Sequence, residues 1–427
     1  MKNIRIALLG LGTVGSGVVT ILQTHAERLR KQTGVAFEIA SILVRDTARP
    51  RKVEVERSLL TDNIARVWAS EPDVVVDAMG GLVPTLSYME EAIARGCHVI
   101  SANKELLAIH GAWLHTLAQE QGVGLLYEAS VGGGIPILNT LAQLLNVNRI
   151  TRVAGILNGT TNYILTRMEE EGLPYEAVLA EAQELGFAEA DPTADVEGYD
   201  AFHKIRIVAR LCFGEEIDEK ASLRDGITSV TAEEIELFGH LGLRVKLLAT
   251  AERVGASLRV QVAPTLVPHS HALAQVKNEY NGVFVTGDVV GDLFFTGKGA
   301  GMLPTGSAIV EDIVHAVRGT TFIPETAAVA LAAEEIVEKT GVEAAFFTLK
   351  PKDERGEFSL LSFLSGEAGV LHRVETVKRN GQTHVAALLS SHDRAVINAF
   401  AYHIGAVVRF RELLAEPEVV LSPVTIN

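Results

Sequence analysis

The chain is 427 residues long, about three times a usual domain, so two or three domains are expected. Its 48% hydrophobic and 21% charged content excludes a disordered polypeptide, and two cysteines exclude a disulfide framework or a Cys-built zinc site. Thirty-eight basic against 53 acidic side chains give a formal charge of −15, which argues against nucleic-acid and anionic-membrane partners. Mean hydropathy is +0.23, yet no apolar run approaches the ~18–20 residues of a bilayer span. Residues 1–10 lead directly into a strand-like segment, so no leader peptide is expected and a cytoplasmic protein is.

Residues 4–9 form a short apolar run of strand length, followed at once by Gly10-Leu11-Gly12-Thr13-Val14-Gly15. Val14, Val18, Ile21 and Leu22 then recur at helical spacing. Strand, G-x-G-x-x-G and helix in that order are the context a dinucleotide needs. Gly10 permits the tight turn, Gly12 lets a pyrophosphate approach the backbone, and Gly15 lets helix and strand pack closely. Free N–H groups of the helix's first turn, with Thr13 and Val14, then face the phosphates. A glycine-rich turn in some other α/β domain is the competing reading.

Further strand-like runs at 35–44, 73–77, 98–101 and 123–127 alternate with helical patterns such as 86–95 and 106–121. That alternation predicts right-handed crossovers and a parallel sheet, with ligands beyond the carboxyl ends of the strands. Gly10, Arg45, Gly80-Gly81, Lys104 and Glu128 stand there. The second strand is followed by Arg45 and Asp46, and residues 45–52 hold four basic groups and one acid. A cation cluster at that spot suits a 2′-phosphate, which favours NADP(H); Asp46 keeps NAD(H) open, as does a purely solvated basic loop.

Between residues 186 and 204 stand five carboxylates, Glu189, Asp191, Asp195, Glu197 and Asp200, in a loop broken by Pro192 and Gly198. A helix over 199–213 follows, with Gly214 as its stop. Asp200 and Lys204 share one face of its first turn. A surface acidic loop with an ordinary i,i+4 pair is the competing reading. Against it, a lysine near the start of a largely apolar helix opposes the helix dipole and needs carboxylate partners or a task. Carboxylates would hold a substrate's ammonium group while the lysine manages the proton of a reacting hydroxyl. Burial or a second cation, for which Lys104 is the candidate, would bring its pKa towards the working range.

Taken together, these motifs resemble homoserine dehydrogenases. The resemblance is carried by residues 10–15; Ser101-Ala102-Asn103-Lys104; Tyr127-Glu128-Ala129-Ser130-Val131-Gly132-Gly133-Gly134-Ile135-Pro136; Asn158-Gly159-Thr160-Thr161-Asn162-Tyr163; and the stretch 189–204. Gly287-Asp288-Val289-Val290-Gly291, Gly299-Ala300-Gly301 and Pro304-Thr305 complete it in order. It implies NAD(P)-dependent interconversion of L-homoserine and L-aspartate 4-semialdehyde in threonine and methionine biosynthesis. By motif match Lys204 takes the proton-donor position, with Lys104 as its partner. Glu189 and Asp200 bind substrate, Asp195 supports them, and Gly186 lines the pocket. Cofactor positions are Gly10, Gly12, Thr13, Val14, Gly15, Arg45, Ser101, Lys104 and Gly301. Ser101 departs from the more usual threonine but keeps a hydroxyl. The family's sodium-like cation carries over to Glu128 and the carbonyls of Val131, Gly133 and Ile135.

In the tail, strands at 344–349, 370–378, 385–389 and 407–410 and helices at 358–364 and 394–403 are expected, with Asn380-Gly381 as a tight hairpin turn. That β-α-β-β-α-β order resembles an ACT module, which implies amino-acid feedback by an effector such as threonine. Arg355-Gly356-Glu357 stands where Pro-Gly-Val is usual in its first turn.

The expected architecture is therefore α/β. It comprises a Rossmann-type doubly wound parallel sheet over 1–134 completed by about 300–340, an α+β catalytic and dimerisation domain over 135–300, and a C-terminal βαββαβ (ACT-like) domain over 342–427. The resemblance implies a homodimer or homotetramer. An acylating semialdehyde dehydrogenase would need a reactive thiolate, and Cys97 and Cys212 read as packing residues. A zinc alcohol dehydrogenase would need more than the close pair His269 and His271. A dinucleotide-binding amino-acid sensor without turnover accounts for the ends of the chain but not for its carboxylate–lysine stretch.

Overall fold

A computed structural model describes residues 3–219, 222–319, 343–349, 354–366, 370–379, 381–390 and 393–414. The first sheet contains β1 (Asn3–Leu9), β2 (Ala36–Leu43), β3 (Leu60–Thr61), β4 (Val74–Asp77), β5 (His98–Ser101) and β6 (Leu125–Leu126). Between them lie α1 (Thr13–Thr24), α2 (Ala26–Thr33), α3 (Ile64–Ala69), α4 (Thr85–Ala94) and α5 (Lys104–Gln121). Every strand pair is parallel and the order is β3-β2-β1-β4-β5-β6, the doubly wound arrangement that reverses between β1 and β4. Both faces are covered, so alternate residues of β1 feed different cores. Ile4, Ile6 and Leu8 pack on one side, Ala7 and Leu9 on the other.

The chain then builds α6 (Ile137–Leu144), β7 (Ile150–Ile156), α7 (Gly159–Glu171), α8 (Tyr175–Glu184), α9 (Thr193–Val196) and α10 (Tyr199–Phe213). These are followed by β8 (Leu223–Arg224), α11 (Ala232–His240), β9 (Leu243–Val254), β10 (Ser257–Pro268), β11 (Tyr280–Gly287) and β12 (Gly291–Lys298). The helix over 199–213 stands where the sequence puts it, between Gly198 and Gly214, both left-handed. The single turn α9 inside the acidic loop and the two-residue strand β3 carry too little periodicity to be read in advance.

α12 (Met302–Val317) returns the chain to the first sheet, where Ile309, Val310, Ile313 and Val314 join the core beneath β1. The close approach of α12 to α1 depends on glycine. A Cβ on Gly17 would overlap the Met302 carbonyl, and one on Gly306 would come within 2.8 Å of the Gly17 backbone.

The tail contributes β13 (Glu343–Leu349), α13 (Glu354–Gly366), β14 (Val370–Arg379), β15 (Gln382–Ser390), α14 (Arg394–His403) and β16 (Val407–Leu413). The β-α-β-β-α-β order matches the sequence reading, and β14 and β15 form the expected hairpin with Gly381 at φ +78°. Asn380 and the segment 320–342 lie outside the described residues. Arg355-Gly356-Glu357 falls inside α13 rather than in a turn before it. The tail is also less separate than expected: β16 pairs in parallel with β10, making one ten-stranded sheet. Across that junction Arg411, 4% exposed, ion-pairs at 2.6 Å with the fully buried Glu234 of α11. Arg411 also lies 3.4 Å from Asp225.

Candidate active site

At the carboxyl end of β1, Gly10 has φ +102°, and a Cβ there would meet the Ala78 carbonyl at 2.7 Å. A Cβ on Gly15 would overlap the Gly10 carbonyl, whereas nothing lies within 4 Å of one on Gly12. Gly12 is also the N-cap of α1 and has no side-chain cap, so Thr13 and Val14 open a helix whose first N–H groups are free of side-chain partners. Gly301, with φ +127°, begins α12 in the same uncapped way, beside α1. Two bare helix N-termini at a sheet's switch point suit a pyrophosphate. Arg45 is exposed just after β2, and Lys52 reaches back to within 3.3 Å of Thr13 Oγ1.

The ends of β4 and β5 are tied together around Lys104. The Ser101 hydroxyl donates to the buried Asp77 carboxylate at 2.9 Å and accepts from Asn103 N at 3.1 Å. Asn103 donates to the Gly81 carbonyl and caps α5, so Lys104 is the helix's first residue. The serine hydroxyl thus holds the turn that presents Lys104.

From there the site is built of charges. Lys104 Nζ lies 2.9 Å from Asp200 Oδ1, and Lys204 Nζ lies 2.7 Å from Asp200 Oδ2. Lys204 also donates to the Leu157 carbonyl at 2.7 Å, at the end of the strand β7. Burial would raise Asp200, but Lys204 and Lys104 hold its carboxyl well below the usual carboxylate range. Burial pushes the Lys204 ammonium below the ordinary lysine value against the pull of Asp200, and Lys104 adds to that push. The half-exposed Lys104 moves the other way, raised by Asp200. Of the two lysines, Lys204 is therefore the one made ready to change its proton. Glycine again permits the geometry: a Cβ on Gly111 of α5 would overlap the Arg210 guanidinium of α10, and these two helices carry Lys104 and Lys204.

The structure thus brings Lys104, Asp195, Asp200 and Lys204 together. Glu189 and Gly186 lie exposed on the loop after α8, and among the described residues neither bonds to that cluster. Asn158, which links Asp195 and Asp200, enters the sequence reading only as the head of the motif at 158–163 and not as a site residue; locally it is marked just by its position before Gly159-Thr160-Thr161, where it caps α7.

A family profile described as "Homoserine dehydrogenase" matches residues 136–314, and one described as "Homoserine dehydrogenase, NAD binding domain" matches residues 10–128. A homoserine dehydrogenase of Bacillus subtilis is 43% identical over 379 residues, covering 87% of this chain and 86% of that protein. The chain belongs to the homoserine dehydrogenase family. Its members are NAD(P)-dependent oxidoreductases, and the bare turns at Gly12 and Gly301 fit that chemistry. A crystal structure of a homoserine dehydrogenase from Thiobacillus denitrificans superposes with a TM-score of 0.80 at 33% identity, covering 97% of this chain and 98% of that one. A hyperthermophilic archaeal homoserine dehydrogenase in complex with NADPH superposes with a TM-score of 0.63 at 25% identity, covering 74% of this chain and 98% of that one.

Other features of this homoserine dehydrogenase fold narrow the chemistry. Cys97 and Cys212 are buried, and burial pushes the Cys97 thiol up to about 11 and the Cys212 thiol higher still, which leaves no thiolate nucleophile. Among the described residues no cluster of three His, Cys, Asp or Glu side chains could hold a metal, and no helix is long and apolar enough to cross a membrane. Glu128 is buried, with its carboxylate accepting from Leu138 N at 2.8 Å and Asn139 N at 2.7 Å at the start of α6. Beside it, burial and then Glu128 raise the Asp312 carboxyl to about 8. Gly133 sits against Gly299 and Ala300, so the loop holding Val131, Gly133 and Ile135 meets the segment that leads into Gly301. A cavity of about 920 Å³ opens between Gln23, Phe37 and the arginines Arg49, Arg51 and Arg57. Residues 47–51 of the basic loop line it, and it contains none of the lysine–carboxylate cluster.

Proposed function

We propose that this chain oxidises L-homoserine to L-aspartate 4-semialdehyde, and reduces it back, with NADP(H) as the favoured dinucleotide. The observation that carries the reading is one buried carboxylate, Asp200, clamped between two lysines at 2.9 and 2.7 Å beyond the strands of a dinucleotide-binding sheet. When bound, the dinucleotide supplies the hydride acceptor or donor. Gly10, Gly12, Thr13, Val14, Gly15 and Gly301 would cradle its pyrophosphate and Ser101 its turn, while Arg45 and Lys52 answer a 2′-phosphate.

The remaining work falls to side chains of the cluster. Lys204 takes the hydroxyl proton during oxidation and returns it during reduction. Its buried ammonium is easier to deprotonate than a free lysine's, which suits a proton shuttle near neutrality. Lys104 stabilises negative charge on the substrate oxygen. Asp200, Asp195 and Glu189 receive the substrate's ammonium group, and Gly186 leaves room at the pocket wall.

Glu128 and the carbonyls of Val131, Gly133 and Ile135 form the proposed sodium site, where a cation would ease the crowding of Glu128 against Asp312. The βαββαβ tail is proposed as an ACT-like regulatory domain over 342–427 that takes an amino-acid effector such as threonine. The first domain, 1–134, is completed by α12, the described part of the expected span 300–340 whose residues 320–340 lie outside the described residues, and 135–300 carry catalysis and assembly into a homodimer or homotetramer in the cytoplasm. The direct test is spectrophotometric. L-homoserine with NADP⁺ is expected to produce NADPH absorbance, and absence of a rise with either NADP⁺ or NAD⁺ would overturn the reading.

A further inference from the structure

Asp195 and Asp200 reach the site from different elements, α9 and the first turn of α10, and they share one neutral donor. The Asn158 amide nitrogen donates to Asp195 Oδ1 at 2.6 Å and to Asp200 Oδ2 at 2.8 Å. Its oxygen accepts from Thr161 N at 2.9 Å and Thr161 Oγ1 at 3.0 Å. That network fixes the amide's orientation. Flipped, the oxygen would confront two carboxylates and the nitrogen would confront an N–H. Asn158 is 5% exposed, so both of its hydrogens are committed to the two acids inside the protein.

Two carboxylates on one small group repel each other, and such pairs ordinarily relieve the repulsion by taking up a proton. Asp200 escapes because two ammonium groups flank it. Asp195 is more vulnerable. Burial and then Asp200 raise its carboxyl from the ordinary value, and Asn158 and Lys204 pull it back. The groups facing it are Asp200 and Lys204 of α10, Lys104 of α5 and the Thr160 hydroxyl of α7.

We propose that Asn158 is a positioning residue which, by donating to both acids at once, keeps Asp195 ionised beside Asp200 so that the pair receives the substrate's ammonium group. This inference rests on the homoserine reading above. Without the shared donor, Asp195 takes up a proton at higher pH than in the native protein, and the ammonium-bearing substrate binds less well over that interval.

The reduction direction isolates the effect. There Lys204 must be protonated, so its titration limits the alkaline side and leaves the acid limb to the carboxylates. The full-length Asn158→Ser and Asn158→Ala variants are compared with the unsubstituted protein and with Asp195→Asn, using NADPH and aspartate semialdehyde across pH. Serine still caps α7 but has one hydrogen to give, so it cannot serve both acids. The acid limb of kcat/KM for the semialdehyde is expected to move up by about one to two pH units in both Asn158 variants. On that limb KM rises about tenfold or more, while the NADPH KM of Asn158→Ser stays unchanged and the variant remains folded. Asp195→Asn should remove the limb.

An unmoved limb in Asn158→Ser, or a loss of kcat that is uniform across pH, would overturn the proposal by reducing Asn158 to a helix cap. Failure of the homoserine reading looks different: the unsubstituted protein would then turn over no semialdehyde at all.

Discussion

The two parts of the proposed active site are made of opposite materials. At the cofactor end the working parts are missing side chains: Gly10, Gly15 and Gly17 each stand where a single methyl carbon would strike a backbone carbonyl. At the proposed substrate end the working parts are buried charges, with Asp200, Lys204 and Asn158 satisfying one another within 2.7–2.8 Å. The first end therefore fails when volume is added, and the second when a partner is removed and its neighbour is left unpaired in a dry site.

The largest effect should come from the charged end. Lys204→Ala is expected to lower turnover by about 10²–10⁴-fold with the fold intact, measured by NADPH formation from homoserine. Activity within a few-fold of normal would remove Lys204 from proton transfer. The sign of its pH dependence is also fixed. Oxidation needs the neutral amine, so kcat/KM for homoserine rises with pH through the lysine's pKa, which burial holds below the ordinary value. Lys104→Met removes a cation that also lowers it, and frees Asp200 to raise it, so that limb should shift to higher pH.

Next in size is a buried pair remote from the chemistry. Arg411→Ala leaves the fully buried Glu234 without its closest cation and should cost about 3–5 kcal/mol in chemical denaturation. A negligible loss would mean that the ten-stranded sheet holds the tail without this pair. At the glycine end, Gly17→Ala should cost about 1–3 kcal/mol and raise the dinucleotide KM, because α12 must retreat from α1. An unchanged Tm would show that the helices can slide apart freely. The smallest effect is a discrimination: Arg45→Ala with Lys52→Ala should weaken NADP⁺ by about tenfold relative to NAD⁺, or about 1.4 kcal/mol. Equal weakening of both cofactors would mean that neither side chain reads the 2′-phosphate.

The glycine end was the more legible of the two in the sequence. A backbone that must turn, approach a phosphate and admit a helix demands glycine at fixed spacing, so Gly10, Gly12 and Gly15 announce themselves within six residues. The helix over 199–213, the doubly wound sheet and the tail's element order were equally readable, because period and punctuation are local properties. Asp200 and Lys204 were visible as neighbours on one helix face. Their third partner, Lys104, lies about a hundred residues earlier, so no local pattern pairs it with them; it enters as a candidate second cation and through the motif at 101–104.

What the sequence by itself determined, then, was the set of elements and the kinds of side chain the site would hold. The tertiary structure decided which atoms meet. It set Asn158 between Asp195 and Asp200, aimed Asp77 and Ser101 at the turn before Lys104, and closed α5 onto α10 over Gly111. It also joined β16 to β10, turning an expected appendage into part of the catalytic sheet. The physical reason is range. Backbone preference and hydrophobic period act over a few residues and leave a mark in the order of letters. Hydrogen bonds and ion pairs act over a few ångströms in space, and sequence separation does not limit which residues the fold brings that close.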